Sequence, residues 1–261
     1  MLSSLWRYRQ LVFELSKREF SSRYRGTAGE VLWVFLQPLY LLTVYTLAFA
    51  VILKARWSFS GGTAEYVLML FSGLIVFNVF ADCLNKSPSL ISGNSNFVKK
   101  VVFPLELLSF VTVAGAFFHA CIGVGVWCLG YMLLLGFPTL NILFFPLILF
   151  CFFPLVLGVS WLLSAFGLIV RDISQLTAML SHSLLFMTPI FYAREAAPPG
   201  LQYVLIFNPL TFIVEQLRLV LFSGQMPMFK NLLVYFACSL VFAWGAYGLF
   251  QRLRPDFADL V

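Results

Sequence analysis

The sequence predicts an all-α integral membrane protein: six transmembrane helices, an amphipathic N-terminal interface helix, and a re-entrant pair of gate helices before the last span. Three observations carry that expectation. The 261 residues are 61% hydrophobic and 11% charged, with a mean hydropathy of +0.92, whereas a soluble domain is about 45–50% apolar and about 25% charged. The apolar residues form long uninterrupted runs instead of alternating, so the spans are helices and not the strands of a barrel. The basic residues collect in alternate connections, as a membrane topology requires.

Residues 1–28 form the interface helix. At 100° per residue, Arg7, Gln10, Glu14, Lys17 and Arg18 make one polar stripe, and Leu5, Tyr8, Leu11, Val12 and Leu15 make the apolar stripe opposite. The segment carries too many charges for a cleavable signal peptide and lacks the short apolar core and small-residue site of one. It reads either as a plain membrane anchor or as a helix that also touches a cytoplasmic partner. In "RYRGTAGE", Gly26 and Gly29 then turn the chain toward the first span.

A span needs about 20 apolar residues. Six runs qualify: 31–53, 66–84, 105–135, 142–170, 173–192 and 232–253. The third is long enough to tilt, and Pro146 and Pro154 are expected to kink the fourth. Between the fifth and the last lies 193–231, neither a clean span nor a soluble domain. Pro198-Pro199-Gly200 makes a turn and Asn208-Pro209 splits the segment again. Residues 211–222 read as an amphipathic helix on which Glu215 and Arg218, at i and i+3, can pair. Broken helices at membrane depth are tolerated where they are buried in protein or line a cavity. The segment is therefore a candidate outer gate, with Asn208, Pro209, Glu215 and Arg218 as its marked residues.

An even number of spans puts both termini on one side. Grouping them with the loops after spans two and four collects Arg7, Arg9, Lys17, Arg18, Arg23, Arg25, Lys86, Lys99, Lys100, Arg171, Arg252 and Arg254, which is 12 of the 17 basic residues. Lys54, Arg56, Arg194, Arg218 and Lys230 fall on the other side. The bias places both termini in the cytoplasm. The net charge of +6 then reports topology and attraction to anionic headgroups, and no basic patch interleaved with aromatics points to nucleic acid.

The loop 85–104 lies on the same side. It contains "NSNFVKKVVFP" (94–104), whose adjacent Lys99 and Lys100 would each cost about 2.5–3.5 kcal/mol at the bilayer centre. A solvated loop with orientation lysines accounts for that pair but not for Phe97, Val98, Val101, Val102 and Phe103 beside it. A mixture of aromatic, aliphatic and basic groups suits a docking surface. Ser87-Pro88 opens a short helix and Gly93-Asn94 breaks it. The other turn on this side is Arg171-Asp172, two charges that either pair at the membrane edge or meet a partner.

The five cysteines (83, 121, 128, 151 and 238) fall in or beside apolar runs with no CxxC, and read as small buried hydrophobes. His119 and His182 are lone histidines in apolar runs, expected to be hydrogen-bonded and to face the bundle, with proton transfer as the competing role. The chain has no GxxxxGK[ST] loop, no HExxH and no GxSxG, and its carboxylates are scattered. It has no matching halves of the kind inverted-repeat carriers show. Energy for any transport would come from another chain.

The order of parts resembles the membrane subunit of an ABC type-2 exporter, and is especially similar to the permeases that export lipid-linked polysaccharides such as O-antigen, capsule and teichoic acid. The stretches that carry the resemblance are "SKREFSSRYRGTAGEVLWVFLQPL" (16–39), "NSNFVKKVVFPLELL" (94–108), "GLIVRDISQL" (167–176) and "NPLTFIVEQLR" (208–218). It implies that 95–102, with Ser95, Asn96, Phe97, Val98, Lys99 and Lys100, is a coupling helix docking on a separate ATPase. Arg171 and Asp172 would make a second contact, and 198–222 would form the paired helices of the outer gate. Two copies of the chain would join two ATPases in a bacterial inner membrane, with the pathway between the permeases. ATP and magnesium would be held by the ATPase, and this chain would be a transport subunit without a cofactor.

Aromatic residues make up 18% of the chain, and sugar rings stack on aromatic faces, although phenylalanine serves core and lipid-facing positions equally well. Trp33, Phe35, Tyr40 and Tyr45, beside Gln37 and Thr43, are the channel candidates in span one. Arg23 and Arg25 at the cytoplasmic entrance would either attract a lipid diphosphate or act as positive-inside anchors. Two other readings compete: an ABC type-2 permease for a drug or small lipid, and a membrane enzyme acting on lipid-linked sugars, which would need a charged cluster not evident in the sequence.

Overall fold

Helices account for almost all of the regular structure. The computed structural model describes residues 7–22, 30–45, 47–48, 62–99, 103–170 and 172–257, and no strand occurs among them. In chain order the helices are α1 (Arg9–Ser22), α2 (Glu30–Tyr45), α3 (Thr63–Lys86), α4 (Ser95–Lys99), α5 (Glu106–Leu134), α6 (Phe145–Ile169), α7 (Ile173–Met187), α8 (Pro199–Phe207), α9 (Pro209–Leu221) and α10 (Phe229–Leu253).

Among the described residues, four helical stretches are long and apolar enough to cross a membrane: Ala64–Ser89, Glu106–Leu134, Leu140–Ile169 and Phe229–Asp256. The pair α8 and α9, bent by 90° at its break, makes a fifth if counted as one span. The protein is therefore a multi-pass membrane protein, with four or five candidate spans among the described residues where the sequence predicts six. The two missing ones have different reasons. Helix α2, of 16 residues, begins at Glu30 and reaches only to Tyr45 of the expected 31–53 span, and residues 46 and 49–61 lie outside the described ones. Helix α7 covers only 15 residues of the expected 173–192 span, about 22 Å at 1.5 Å per residue against a hydrocarbon core near 30 Å. It stops because Pro189 pushes the residue before it out of helical conformation, and Thr188 is extended, with φ −106° and ψ 137°.

The expected kink in the fourth run is not a break. Pro146 sits in the first turn of α6, where its missing N–H costs nothing, and the helix continues through Pro154. Helix α3 is the centre of the bundle, with Leu70, Val76 and Cys83 fully buried. It packs against α5, α6, α7 and α9, and α10 lies along α6 at the outside. Tyr66, Trp127, Phe152, Trp161 and Phe250 fill the core.

Helix α1 packs along α5. It buries Val12 and half-buries Tyr8 and Leu15, while Arg7, Gln10, Glu14, Lys17 and Arg18 all face outward as the periodicity predicts. Leu11, expected on the apolar stripe, is exposed, so the packed stripe is narrower than the sequence pattern. Of the expected interface helix 1–28, residues 1–6 and 23–28 lie outside the described ones.

Candidate functional site

Two regions bring the marked residues together, one at each end of the bundle. At the first end, α3 finishes at Lys86 and the chain makes two tight turns, Ser87–Ser89 and Ser92–Asn94, before α4. Short polar side chains hold these turns by donating to carbonyls that the helix has released. Ser87 Oγ lies 2.8 Å from Ser160 Oγ on α6 and 2.5 Å from the Cys83 carbonyl. Ser89 and Ser92 donate to the carbonyls of Lys86 and Ser89, and Asn94 Nδ2 donates to Leu90 at 2.8 Å. Ile91 is buried. Gly167 of α6 lets the first turn sit directly on the helix: a Cβ there would overlap the Pro88 carbonyl. The loop is thus a built structure and not a solvated connection.

Of the residues marked for docking, Asn96 is exposed and Ser95 is half-buried. Phe97 is also half-buried, its ring 4.9 Å from that of Phe103. Val98 and Lys99 belong to α4 by backbone, their side chains lie outside the description, and Lys100 lies outside the described residues. Asp172, five residues past Gly167, is exposed, and Arg171 lies outside the described residues. Helix α7, which begins just after Asp172, packs against the Ser87–Ser89 turn, so the loop and the second marked turn share one end. Glu19 of α1 joins that end through a 2.6 Å ion pair with Lys86. So does the stretch after α10, through Arg254 and Glu106 at 3.4 Å. Helix α1, the loop and the end of α10 thus cluster at one end of the bundle.

At the opposite end the chain is non-helical from Thr188 to the turn Arg194–Ala196. Irregular backbone at membrane depth must have its carbonyls satisfied inside the protein, and here six consecutive ones are. The Phe186 carbonyl accepts from Tyr192 Oη at 2.9 Å, and that of Met187 from Asn208 Nδ2 at 3.0 Å. The Thr188 carbonyl accepts from the Ile190 N–H at 2.7 Å. Arg218 Nη1 donates to Pro189 at 2.6 Å and Nη2 to Ile190 at 2.8 Å, and Tyr66 Oη donates to Phe191 at 3.0 Å. Arg218 is 9% exposed, and Gly73 makes room for it, since a Cβ there would come within 2.9 Å of Nη2.

Asn208 serves both sides of the α8–α9 break. Its Oδ1 accepts from the Leu210 N–H at 2.9 Å, capping α9, while Pro209 occupies the first turn. The expected partner of Glu215 changes: its carboxylate meets Arg194 at 3.2 Å, and the terminal nitrogens of Arg218 go to backbone carbonyls. The i,i+3 spacing placed both on one helix but could not foresee that unpaired carbonyls from the end of α7 would compete for the guanidinium.

In α2, Tyr40 is 69% exposed and Phe35 and Thr43 are exposed as well. The side chains of Trp33, Gln37 and Tyr45 lie outside the description, and Arg23 and Arg25 lie outside the described residues. His182 does not face the bundle as expected. It is exposed on α7, with Nδ1 2.7 Å from the Ala178 carbonyl, and His119 is half-buried. Cys83 and Cys151 are buried as expected, but Cys121 and Cys238 are exposed, and none of the five is in a disulfide. Sequence reasoning missed Tyr66, Glu19, Glu106 and Arg254. Tyr66, Glu106 and Arg254 sit near the ends of apolar runs, where a polar group has to find a partner, and that position was the available signal; Glu19 lies on the charged helix α1 and carried no such signal.

The model of the ABC-2 type transporter family matches residues 10–222. An O-antigen export system permease protein RfbA of Myxococcus xanthus is 25% identical over 268 residues, covering 100% of this chain and 99% of its own length. Two proteins of that name from Klebsiella pneumoniae are 22% and 24% identical, each covering 96% of this chain and 95% of its own length. The match takes in the loop, the Asp172 turn and the carbonyls held by Asn208 and Arg218, and the chain belongs to the ABC-2 type transporter membrane family.

Proposed function

We propose that this chain is the membrane half of an ATP-driven exporter that carries a polyprenyl-diphosphate-linked polysaccharide of the O-antigen kind across a bacterial cytoplasmic membrane. The observation that carries this reading is the end-to-end similarity to permeases named for O-antigen export. The geometry supports it. A self-bonded loop presents Ser95–Lys99 at the end where α1 and the stretch after α10 gather. A separate ATPase docks there, through Ser95, Asn96, Phe97, Val98, Lys99 and Lys100, with Arg171 and Asp172 as the second contact. That end is the cytoplasmic one, both termini included, and ATP and magnesium belong to the ATPase.

The functional unit holds two copies of the chain and two ATPases, and each copy has six spans, α2 and α7 completing the count. Helix α7 supports this. Gln175, His182 and Ser183 are exposed on a short apolar helix, and polar groups facing lipid are costly. A second copy or a polar pathway covers them. Tyr40 and Phe35 of α2, with Trp33 and Tyr45, line that pathway, and Arg23 and Arg25 receive the lipid diphosphate. Asn208, Pro209, Glu215 and Arg218 form the outer gate.

The test is gentle purification of the tagged chain from its native membrane, paired with surface glycan analysis of a strain lacking it. A stoichiometric ATPase and loss of surface glycan are expected. Intact surface glycan with altered drug or lipid export would reassign the substrate, and absence of any ATPase would refute the docking surface.

A further inference from the structure

The chain crosses itself where the loop returns to the bundle. Residues 103–106 lead into α5, and residues 254–257 come directly after α10. Arg254 joins them: Nη1 is 3.4 Å from Glu106 Oε2 and Nη2 is 3.4 Å from the Phe103 carbonyl. The Glu106 side chain is only 4% exposed, so its carboxylate depends on partners within the protein. The backbone carbonyl of the same residue accepts from Trp161 Nε1 of α6 at 3.1 Å. The Trp161 ring lies 5.1 Å from that of Tyr247 on α10. Phe257 is fully buried, edge-on to Phe250 at 5.3 Å, which pins the stretch after α10 in place. On the other side of the crossing, the Phe103 ring touches Phe97 of α4. A continuous set of contacts thus runs from α4 through Phe103 to Arg254 and α10, and through Glu106 to α6.

We propose that Arg254 is a positioning residue for energy coupling: it clasps the returning loop to the foot of α10, so that a push on α4 moves α10 and α6 as one body. This rests on the reading of Ser95–Lys99 as the ATPase-docking helix. Among the described residues, Arg254 meets the loop behind α4, at Phe103 and Glu106, so it acts on the transmission of force after docking and not on docking itself. The guanidinium fork reaches a carboxylate and a carbonyl at once, which a lysine ammonium on a flexible stem does less well.

The test compares Arg254→Ala, Arg254→Gln and Arg254→Lys in the full-length tagged chain, purified with whatever ATPase accompanies the parent. Three quantities are read: the ratio of ATPase to permease, ATP turnover of the complex, and glycan delivered to the cell surface. Arg254→Ala should keep the parental ratio and turnover while exported glycan per ATP falls roughly tenfold, within the range for changes that alter coupling between sites. Arg254→Lys should recover at least half of the loss. Parental export per ATP in Arg254→Ala overturns the clasp. So does loss of the ATPase from that variant, because Arg254 would then act in docking. Should Arg254→Ala fail to accumulate, Arg254→Gln is read in the same way. A parent that brings no ATPase refutes the docking reading itself, an outcome separate from any of these.

Discussion

Replacing Arg218 by methionine tests whether the break after α7 is held by carbonyl capture or by an ion pair on α9. Methionine keeps most of the apolar stem, so little cavity is left. What disappears are the bonds to Pro189 at 2.6 Å and Ile190 at 2.8 Å, and a longer one at 3.4 Å to the Met69 carbonyl, which keeps its bond from Ser72 Oγ. Each stranded buried carbonyl costs about 1–3 kcal/mol, or roughly 2–6 kcal/mol together. Removing a buried guanidinium also removes its own desolvation cost, which is several kcal/mol for an isolated ion. Capture by two carbonyls has already offset much of that, and we expect a net loss of about 2–4 kcal/mol. Glu215→Gln is the control. Its pair with Arg194 is about one-third exposed on both sides, and pairs of that kind contribute about 0–1 kcal/mol. Thermal unfolding of the purified protein in one detergent should therefore show Arg218→Met well below the parent and Glu215→Gln close to it. Equal destabilisation by the two would mean that Arg218 works through Glu215, and the carbonyl clamp would be refuted.

Gly167→Ala should be costly for a different reason. The new methyl would lie 2.6 Å from the Pro88 carbonyl carbon and 2.7 Å from its Cα. Backbone cannot rotate aside as a side chain can, so the Ser87–Ser89 turn must lift, at about 1–3 kcal/mol, visible as a lower unfolding midpoint; an unchanged midpoint would show that the turn does not rest on α6. Asn208→Ala removes the α9 cap, about 1 kcal/mol, and also the donor to Met187, whereas Asn208→Asp keeps the cap alone. Alanine should therefore lower the midpoint more than aspartate does, and the reverse order would remove the Met187 contact from the account. Phe97→Ala combined with charge reversal of Lys99 and Lys100 should abolish ATPase co-purification while membrane insertion persists. Normal export by that variant would sink the docking assignment.

Much of the architecture was legible because a bilayer imposes one dominant rule. Long apolar runs must be helices, and lysines must stay out, so the positions of α3, α5, α6 and α10 can be placed within a few residues from hydropathy alone. The polar stripe of α1 and the Asn208-Pro209 break were equally readable, since helical periodicity and proline chemistry are local. The extent of α7 was not. Its sequence remains apolar through Tyr192, and hydropathy does not register that Thr188-Pro189 ends the helix. That termination is viable only because distant side chains take the released carbonyls.

The partnerships divide along the same line. Composition and spacing determined that this chain crosses a membrane more than once and that its helix is broken at Asn208-Pro209. Tertiary structure alone decided that the Arg218 nitrogens donate to the carbonyls after α7, that Pro88 rests on Gly167, and that Arg254 holds the returning loop. Those choices depend on which groups meet across separations of 28 to 151 residues. No local pattern encodes them, because a buried polar group takes whichever partner packing brings within reach.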